Sequence, residues 1–230
     1  MPGKGHDPIT IPDIFFLIDH PKGLVLYDTG LDVSIWPPEA QKDIIQQPDQ
    51  LVDKQLAKLG LTPSDVKYVI MSHLHSDHAG GMSLFPHATF IVRKSELKAA
   101  WWPERFQWAY RLDDYRNTRS FDFLELDNTE DFDVFGDGTV VCIDTKGHTQ
   151  GHQSLIVRLP RSGTFVLPAD AADMTEILDE GLIPGVIWNA EAALRSVRKI
   201  QHLRKEGALV ITGHDPAMFK TLRLVPDYYE

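Results

Sequence analysis

A single cysteine, no apolar stretch long enough to cross a bilayer and a shortage of positive charge limit what this 230-residue chain can be. Cys142 has no second cysteine to pair with, and its place in the apolar run Thr139-Val140-Val141-Cys142-Ile143 predicts a buried, inert thiol rather than a ligand or nucleophile. No apolar run approaches the ~18–20 residues of a membrane span. Lysine and arginine number 23 against 33 aspartates and glutamates, a net charge of −10 that repels a phosphate backbone, and no local basic patch offsets it. Neither a nucleic-acid nor a membrane partner is therefore expected. Met1-Pro2-Gly3-Lys4-Gly5-His6 lacks the basic and apolar regions of a signal peptide, so the expected location is cytoplasmic. The composition, 43% hydrophobic and 24% charged, is that of an ordinary soluble protein, and the length fits one globular domain over residues 1–230.

Metal-ligand chemistry, by contrast, is concentrated. His73-Leu74-His75-Ser76-Asp77-His78 places four potential ligands in six residues, directly after the apolar run 66–71. A strand alternates its side chains, so His73 and His75 point the same way and can share one ion. Asp77 and His78 are adjacent, project differently, and can serve a second ion. Imidazole and carboxylate without thiolate suit Zn²⁺ best, with Mn²⁺, Fe²⁺ or Co²⁺ as alternatives. Three later residues share one local grammar, a strand-like apolar run followed by a ligand type: His148 after 140–147, Asp170 after 164–169 and His214 after 208–213. If these strands share sheets with residues 66–72, the ligands gather along one edge. Gly147 and Gly151 are expected to let the His148 loop come close to the metal. His6, His20, His87 and His202 have no such setting, and His152 is expected to pack or hydrogen-bond behind His148.

Elsewhere the chain alternates strands and helices. Runs 14–18 and 24–27 read as a hairpin, and Asp28, at the end of the second, either supports a metal-bound histidine or forms a turn. Asp49 is expected to cap a helix ending at Gly60, residues 88–92 to form a strand, and Ser95 to begin a helix. Residues 101–123 carry eight aromatic side chains without clean periodicity, which fits either a lid over a pocket or a helix packed on the core. The acidic stretch 125–137 reads as a solvated loop or hairpin. Residues 190–206 form an amphipathic helix stopped by Gly207.

The motif His73-Leu74-His75-Ser76-Asp77-His78-Ala79-Gly80-Gly81 resembles that of the metallo-β-lactamase superfamily. Gly147-His148-Thr149-Gln150-Gly151-His152-Gln153-Ser154-Leu155 and Gly213-His214-Asp215 are similar to the branch of N-acyl homoserine lactone lactonases, enzymes that hydrolyse bacterial quorum-sensing signals. The resemblance covers nearly the whole chain and implies an α/β fold, an αβ/βα sandwich, and two divalent metal ions, Zn²⁺ above all. It places one ion on His73, His75 and His148, the other on Asp77, His78 and His214, with Asp170 bridging. The chemistry it implies is hydrolysis of a lactone by a hydroxide bridging the ions, with Asp77 or Asp170 expected to pass a proton to the leaving alkoxide. Trp101, Trp102, Phe106, Ile183, Ile187 and Trp188 would wall the acyl chain of this small-molecule lactone or ester, and a homodimer is compatible with the reading. Organophosphate triester, phosphodiester or thioester hydrolysis on the same site is the alternative. Two departures stand out. Relatives carry a longer stretch before the strand at 14–18, so a strand is expected to be missing. They also place a tyrosine three residues after the bridging aspartate, where this chain has Asp173, expected to turn away from the metals because a third inward carboxylate is unfavourable.

Overall fold

The computed structural model describes residues 9–127 and 129–230, so the amino-terminal segment around His6 lies outside the described residues. They fall into two compact units: Phe15–Thr129 with Arg223–Tyr228, and Glu130–Leu222 with the described residues up to Ile14 and with Tyr229–Glu230.

The first unit is built on a sheet of order β1-β2-β3-β4-β5. β1 (Phe16–Ile18) and β2 (Leu24–Tyr27) form the expected antiparallel hairpin, whereas β3 (Val66–Ile70), β4 (Thr89–Arg93) and β5 (Asp122–Leu126) run parallel. Parallel strands need crossovers. These carry α1 (Val52–Ala57), α2 (Ser76–Ala79), α3 (Lys94–Trp101) and α4 (Leu112–Tyr115). The core gathers Leu26, Val69, Met71, Leu74, Phe90 and Tyr115. One expectation fails: Asp49 does not cap α1, whose N-cap is Leu51. Residues Pro48–Gln50 are a 3₁₀ turn of their own, closed by the Gln50 side chain accepting from the Gln47 N–H at 2.6 Å, which takes Asp49 out of register with the helix.

The second unit carries the order β10-β9-β8-β7-β6. β6 (Phe132–Asp133), β7 (Val140–Asp144), β8 (Gln153–Leu159) and β9 (Gly163–Leu167) are antiparallel neighbours, and β10 (Leu209–Val210) adds in parallel to β9. Its helices are α5 (Thr175–Glu180), α6 (Ala190–Lys205) and α7 (Pro216–Phe219). The α6 residues Val197 and Ile200 pack on Ile143, Ile156 and Val166, as the amphipathic pattern predicts. Cys142 is buried in β7, as expected. Within the acidic stretch the Asp133 carboxylate accepts from the N–H groups of Phe135, Gly136 and Gly138, which closes a turn. The strands before His148, Asp170 and His214 belong to a different sheet from β3, because short reversals let β6 to β9 close a meander of their own. Among the described residues, no helix is long and apolar enough to cross a membrane.

Candidate metal centre

In the first unit, β3 ends at Ile70 and the ligand motif follows as a bend that enters α2. Asp28, at the end of β2, adopts a left-handed φ of 60°. Aspartate tolerates that conformation better than most residues. It aims the carboxylate at the motif: Oδ1 accepts from the Ser72 N–H at 2.6 Å, and Oδ2 accepts from the Ser72 hydroxyl at 2.7 Å and from His78 Nδ1 at 2.9 Å. Of the two readings of Asp28, support of a candidate metal-ligand histidine is the one observed. The Ser72 proton is committed to Asp28, so Ser72 Oγ, 3.0 Å from His73 Nδ1, can only accept from that ring. His73 and His78 therefore both carry their proton on Nδ1, which leaves Nε2 as an electron-pair donor. His73, His75 and His78 are buried, with the His73 ring 4.6 Å from His75 and 4.1 Å from His78. The Asp77 side chain is 37% exposed, and its Oδ2 lies 3.7 Å from His78 Nε2.

The second unit repeats the logic. His148 Nδ1 lies 2.7 Å from the Val186 carbonyl and His214 Nδ1 lies 2.8 Å from the Pro12 carbonyl, and a carbonyl can only accept. Their Nε2 lone pairs face one carboxylate: His214 meets Asp170 Oδ1 at 3.0 Å, and His148 meets Oδ2 at 3.3 Å. Neutral rings would set lone pair against lone pair at that distance, a repulsion that a cation between them removes. The edge of a tetrahedron with metal–ligand arms of ~2.1 Å is roughly 3.4 Å, so a divalent ion fits each contact. One carboxylate thus turns each oxygen to a different histidine, as a bridging ligand must. Ala169, just before it, is held at a φ of 45°, and Gly213 leaves no room for a Cβ, which would sit 2.9 Å from the Ala169 carbonyl oxygen. Strain of this kind persists only where the surroundings impose it.

The residues fall into two groups able to hold a metal ion: His73, His75 and His148, and Asp77, His78, Asp170 and His214. All seven expected ligand positions are among them. His152 does sit behind His148, its ring 5.9 Å away at a steep angle and its Nδ1 3.0 Å from Thr145 Oγ1. Asp173 does not turn away to solvent. Its Oδ1 is buried without a hydrogen-bond partner, and burial first, then the charge of Asp170, holds the carboxyl above its ordinary range against the opposing pull of His214 and His148. Its backbone explains the direction: the Asp173 carbonyl accepts from the His214 N–H at 2.8 Å, which ties this residue to the ligand loop. At a φ of 140° the Gly147 Cβ position would fall 2.2 Å from the Ala193 N atom, so the glycine admits the close approach of α6.

The proposed acyl-wall residues divide. Ile187 and Trp188 follow Val186, the partner of His148, and the Trp188 N–H lies 2.8 Å from the His148 carbonyl, so this segment is laced to a ligand loop. Ile183 is half-buried a few residues earlier. Trp102 and Phe106 are largely exposed, while Trp101 packs on the core against Tyr115, the other reading of the aromatic segment. Sequence reasoning missed Ser72, Val186 and Pro12. Two act through backbone carbonyls, which leave no mark in a sequence, and Ser72 had only its place beside His73 to recommend it.

Residues 15–214 match the family described as the metallo-beta-lactamase superfamily. The chain belongs to that superfamily. It is 37% identical to the N-acyl homoserine lactonase AttM of Azorhizobium caulinodans over 99% of this chain and 90% of that one. The N-acyl homoserine lactonase AiiA of Bacillus thuringiensis subsp. kurstaki is 29% identical, over 99% and 89%. Among solved structures, an N-acyl homoserine lactone hydrolase with the product N-hexanoyl-L-homoserine at its catalytic metal centre superposes with a TM-score of 0.83 at 26% identity, covering 95% of this chain and 87% of that one. An AiiA variant from B. thuringiensis with N-decanoyl-L-homoserine bound gives the same values, 0.83, 26%, 95% and 87%. The expected αβ/βα fold is thus the fold of the chain, and its His/Asp cluster marks a dinuclear divalent metal site.

Proposed function

We propose that the chain opens the ester bond of an N-acyl homoserine lactone as a dinuclear-metal hydrolase. The observation that carries this reading is the Asp170 carboxylate, with one oxygen to His148 and the other to His214, beside motifs and relatives of the lactonase kind. His73, His75 and His148 would hold one ion, Asp77, His78 and His214 the other, and Asp170 would serve both. Zinc suits this donor set best. Bound there, two divalent ions supply an acidified water and a Lewis acid for the scissile carbonyl. The residues do the rest. Asp28, Ser72, Val186 and Pro12 fix the ring tautomers of His78, His73, His148 and His214, which leaves the Nε2 of each as the ligand atom. Asp77, whose side chain is more exposed than that of Asp170, is placed to carry a proton to the leaving alkoxide, with Asp170 the other candidate. Asp173 stands where the lactonases have a tyrosine and acts on the same carbonyl region.

Ile183, Ile187 and Trp188, in and beside the segment laced to the His148 loop, are the side chains proposed to wall an acyl tail. Residues 1–230 act as one hydrolase domain in the cytoplasm, where the buried thiol of Cys142 stays reduced, without nucleic-acid or membrane partners and compatibly with a homodimer. The test is a series of lactones of increasing acyl length beside phosphotriester, thioester and β-lactam substrates. kcat/KM should rise by up to ~0.8 kcal/mol per buried CH₂ until the wall is full. A flat series, or phosphotriesters far outrunning every lactone, would transfer the site to the organophosphate alternative.

A further inference from the structure

The stretch that carries His73 and His75 has left the sheet, so its backbone N–H groups need partners other than a neighbouring strand. Three alternate ones find them in different places. Ser72 N–H donates to the Asp28 carboxylate at 2.6 Å, Leu74 N–H to Glu96 Oε1 at 2.9 Å, and Ser76 N–H to the Ala109 carbonyl at 3.1 Å. The middle partner is notable. Glu96 lies in the first turn of α3, fully buried, a costly place for a carboxylate unless it is well bonded. The same Oε1 also accepts from the Tyr110 hydroxyl at 2.7 Å, and the Tyr110 ring packs edge-on against the His75 imidazole with centroids 4.6 Å apart. One carboxylate oxygen therefore touches the ligand pair twice, through the peptide between His73 and His75 and through the ring that abuts His75.

Resting on the two-metal reading above, we infer that Glu96 and Tyr110 are a positioning pair for the metal held by His73, His75 and His148: Glu96 fixes the backbone between the two histidines and Tyr110 fixes the rotation of the His75 ring. Asp28 does the corresponding work at His78, so each half of the motif has its own buried carboxylate. A chain relying on Asp28 alone would leave Leu74 and the His75 ring without these restraints. Partners of this kind behind metal ligands typically govern metal affinity by about 10–100-fold.

The experiment titrates metal-free protein with Zn²⁺ against a chromophoric chelator, resolving two binding steps in the wild type, and compares Glu96→Leu, Glu96→Gln and Tyr110→Phe. Glu96→Leu removes the acceptor and should weaken one step by about 10–100-fold while the other stays within about threefold. Glu96→Gln keeps a carbonyl oxygen for both donors and should recover most of that loss. Tyr110→Phe keeps the ring but drops the hydroxyl bond, and should weaken the same step by less than Glu96→Leu does. Co²⁺ absorption offers a second readout, since only the site with a loosened His75 should change its spectrum. If Glu96→Leu does not fold, a selective loss in Tyr110→Phe supports the pairing. Unchanged steps in Tyr110→Phe, equal weakening of both steps, or no recovery in Glu96→Gln would each overturn it. A wild type that binds a single ion would instead overturn the two-metal reading itself.

Discussion

Asp170 and Asp28 show how single carboxylates set the chemistry of the site. Asp28 takes three hydrogen bonds in a buried, left-handed conformation, and one of them fixes the tautomer of His78. Asp28→Ala should therefore weaken the metal held by His78 by about 10–100-fold, measured by chelator competition, with little change in the fit of substrate. Equal affinity in the variant would show that His78 needs no such support. Asp173 invites the opposite change. Its carboxyl is buried near Asp170 where a tyrosine hydroxyl could donate to the oxyanion, and an oxyanion donor elsewhere is worth about 10²–10³ in kcat. Because metal ions already share that work, Asp173→Tyr should raise lactone kcat/KM by roughly tenfold. No gain from Asp173→Tyr, together with loss of turnover in Asp173→Ala at full metal content, would make Asp173 itself catalytic.

At the scale of elements, loops are held against helices by contacts that can be tested one at a time. Gly147→Ala puts a methyl into the backbone of α6 at Ala193 and should destabilise the unit by ~2 kcal/mol or more in thermal melts. Gly163→Ala, also at positive φ but with no atom within 4 Å, should cost only ~1 kcal/mol of strain. Similar losses would show that packing against α6 is unimportant. In α4, Asp114 is buried, accepts from Trp36 Nε1 at 3.2 Å and has Arg111 nearby, whose guanidinium stacks on the Trp36 ring. Burial outweighs these favourable partners, and the charges of Asp113 and Asp32 add to it, raising the carboxyl to about 7 from 3.8. The folded state then holds a proton that the unfolded state has lost. Stability from this group is complete below about pH 4 and is lost as pH rises through about 7, at up to ~1.4 kcal/mol per unit. Asp114→Asn should flatten that slope in urea unfolding between pH 5 and 7.5. A parallel slope in both proteins would place the effect elsewhere.

For the whole molecule, what was legible in the sequence depended on distance along the chain. The hairpin and α6 rest on local spacing and are legible for that reason, and the ligand motif likewise gathers its ligand types within a few residues. The partition into two sheets was not legible, since the strands before His148 and His214 look alike in sequence whichever sheet takes them. The roles of Gly147 and Glu96 were missed for a related reason: each is defined by a residue far along the chain, Ala193 for one and Leu74 for the other. The setting of Asp173 depends in the same way on its backbone bond to His214, which charge alone does not foretell. Chelation of the purified protein should abolish turnover, and metal return should restore it. The most direct measurement follows from that: N-acyl homoserine lactone turnover against bound Zn²⁺ per chain, determined by elemental analysis during reconstitution. Turnover should rise to a plateau at two ions per chain and fall sharply in His214→Ala. A plateau at one ion, or turnover that persists in metal-free protein, would contradict a dinuclear lactonase.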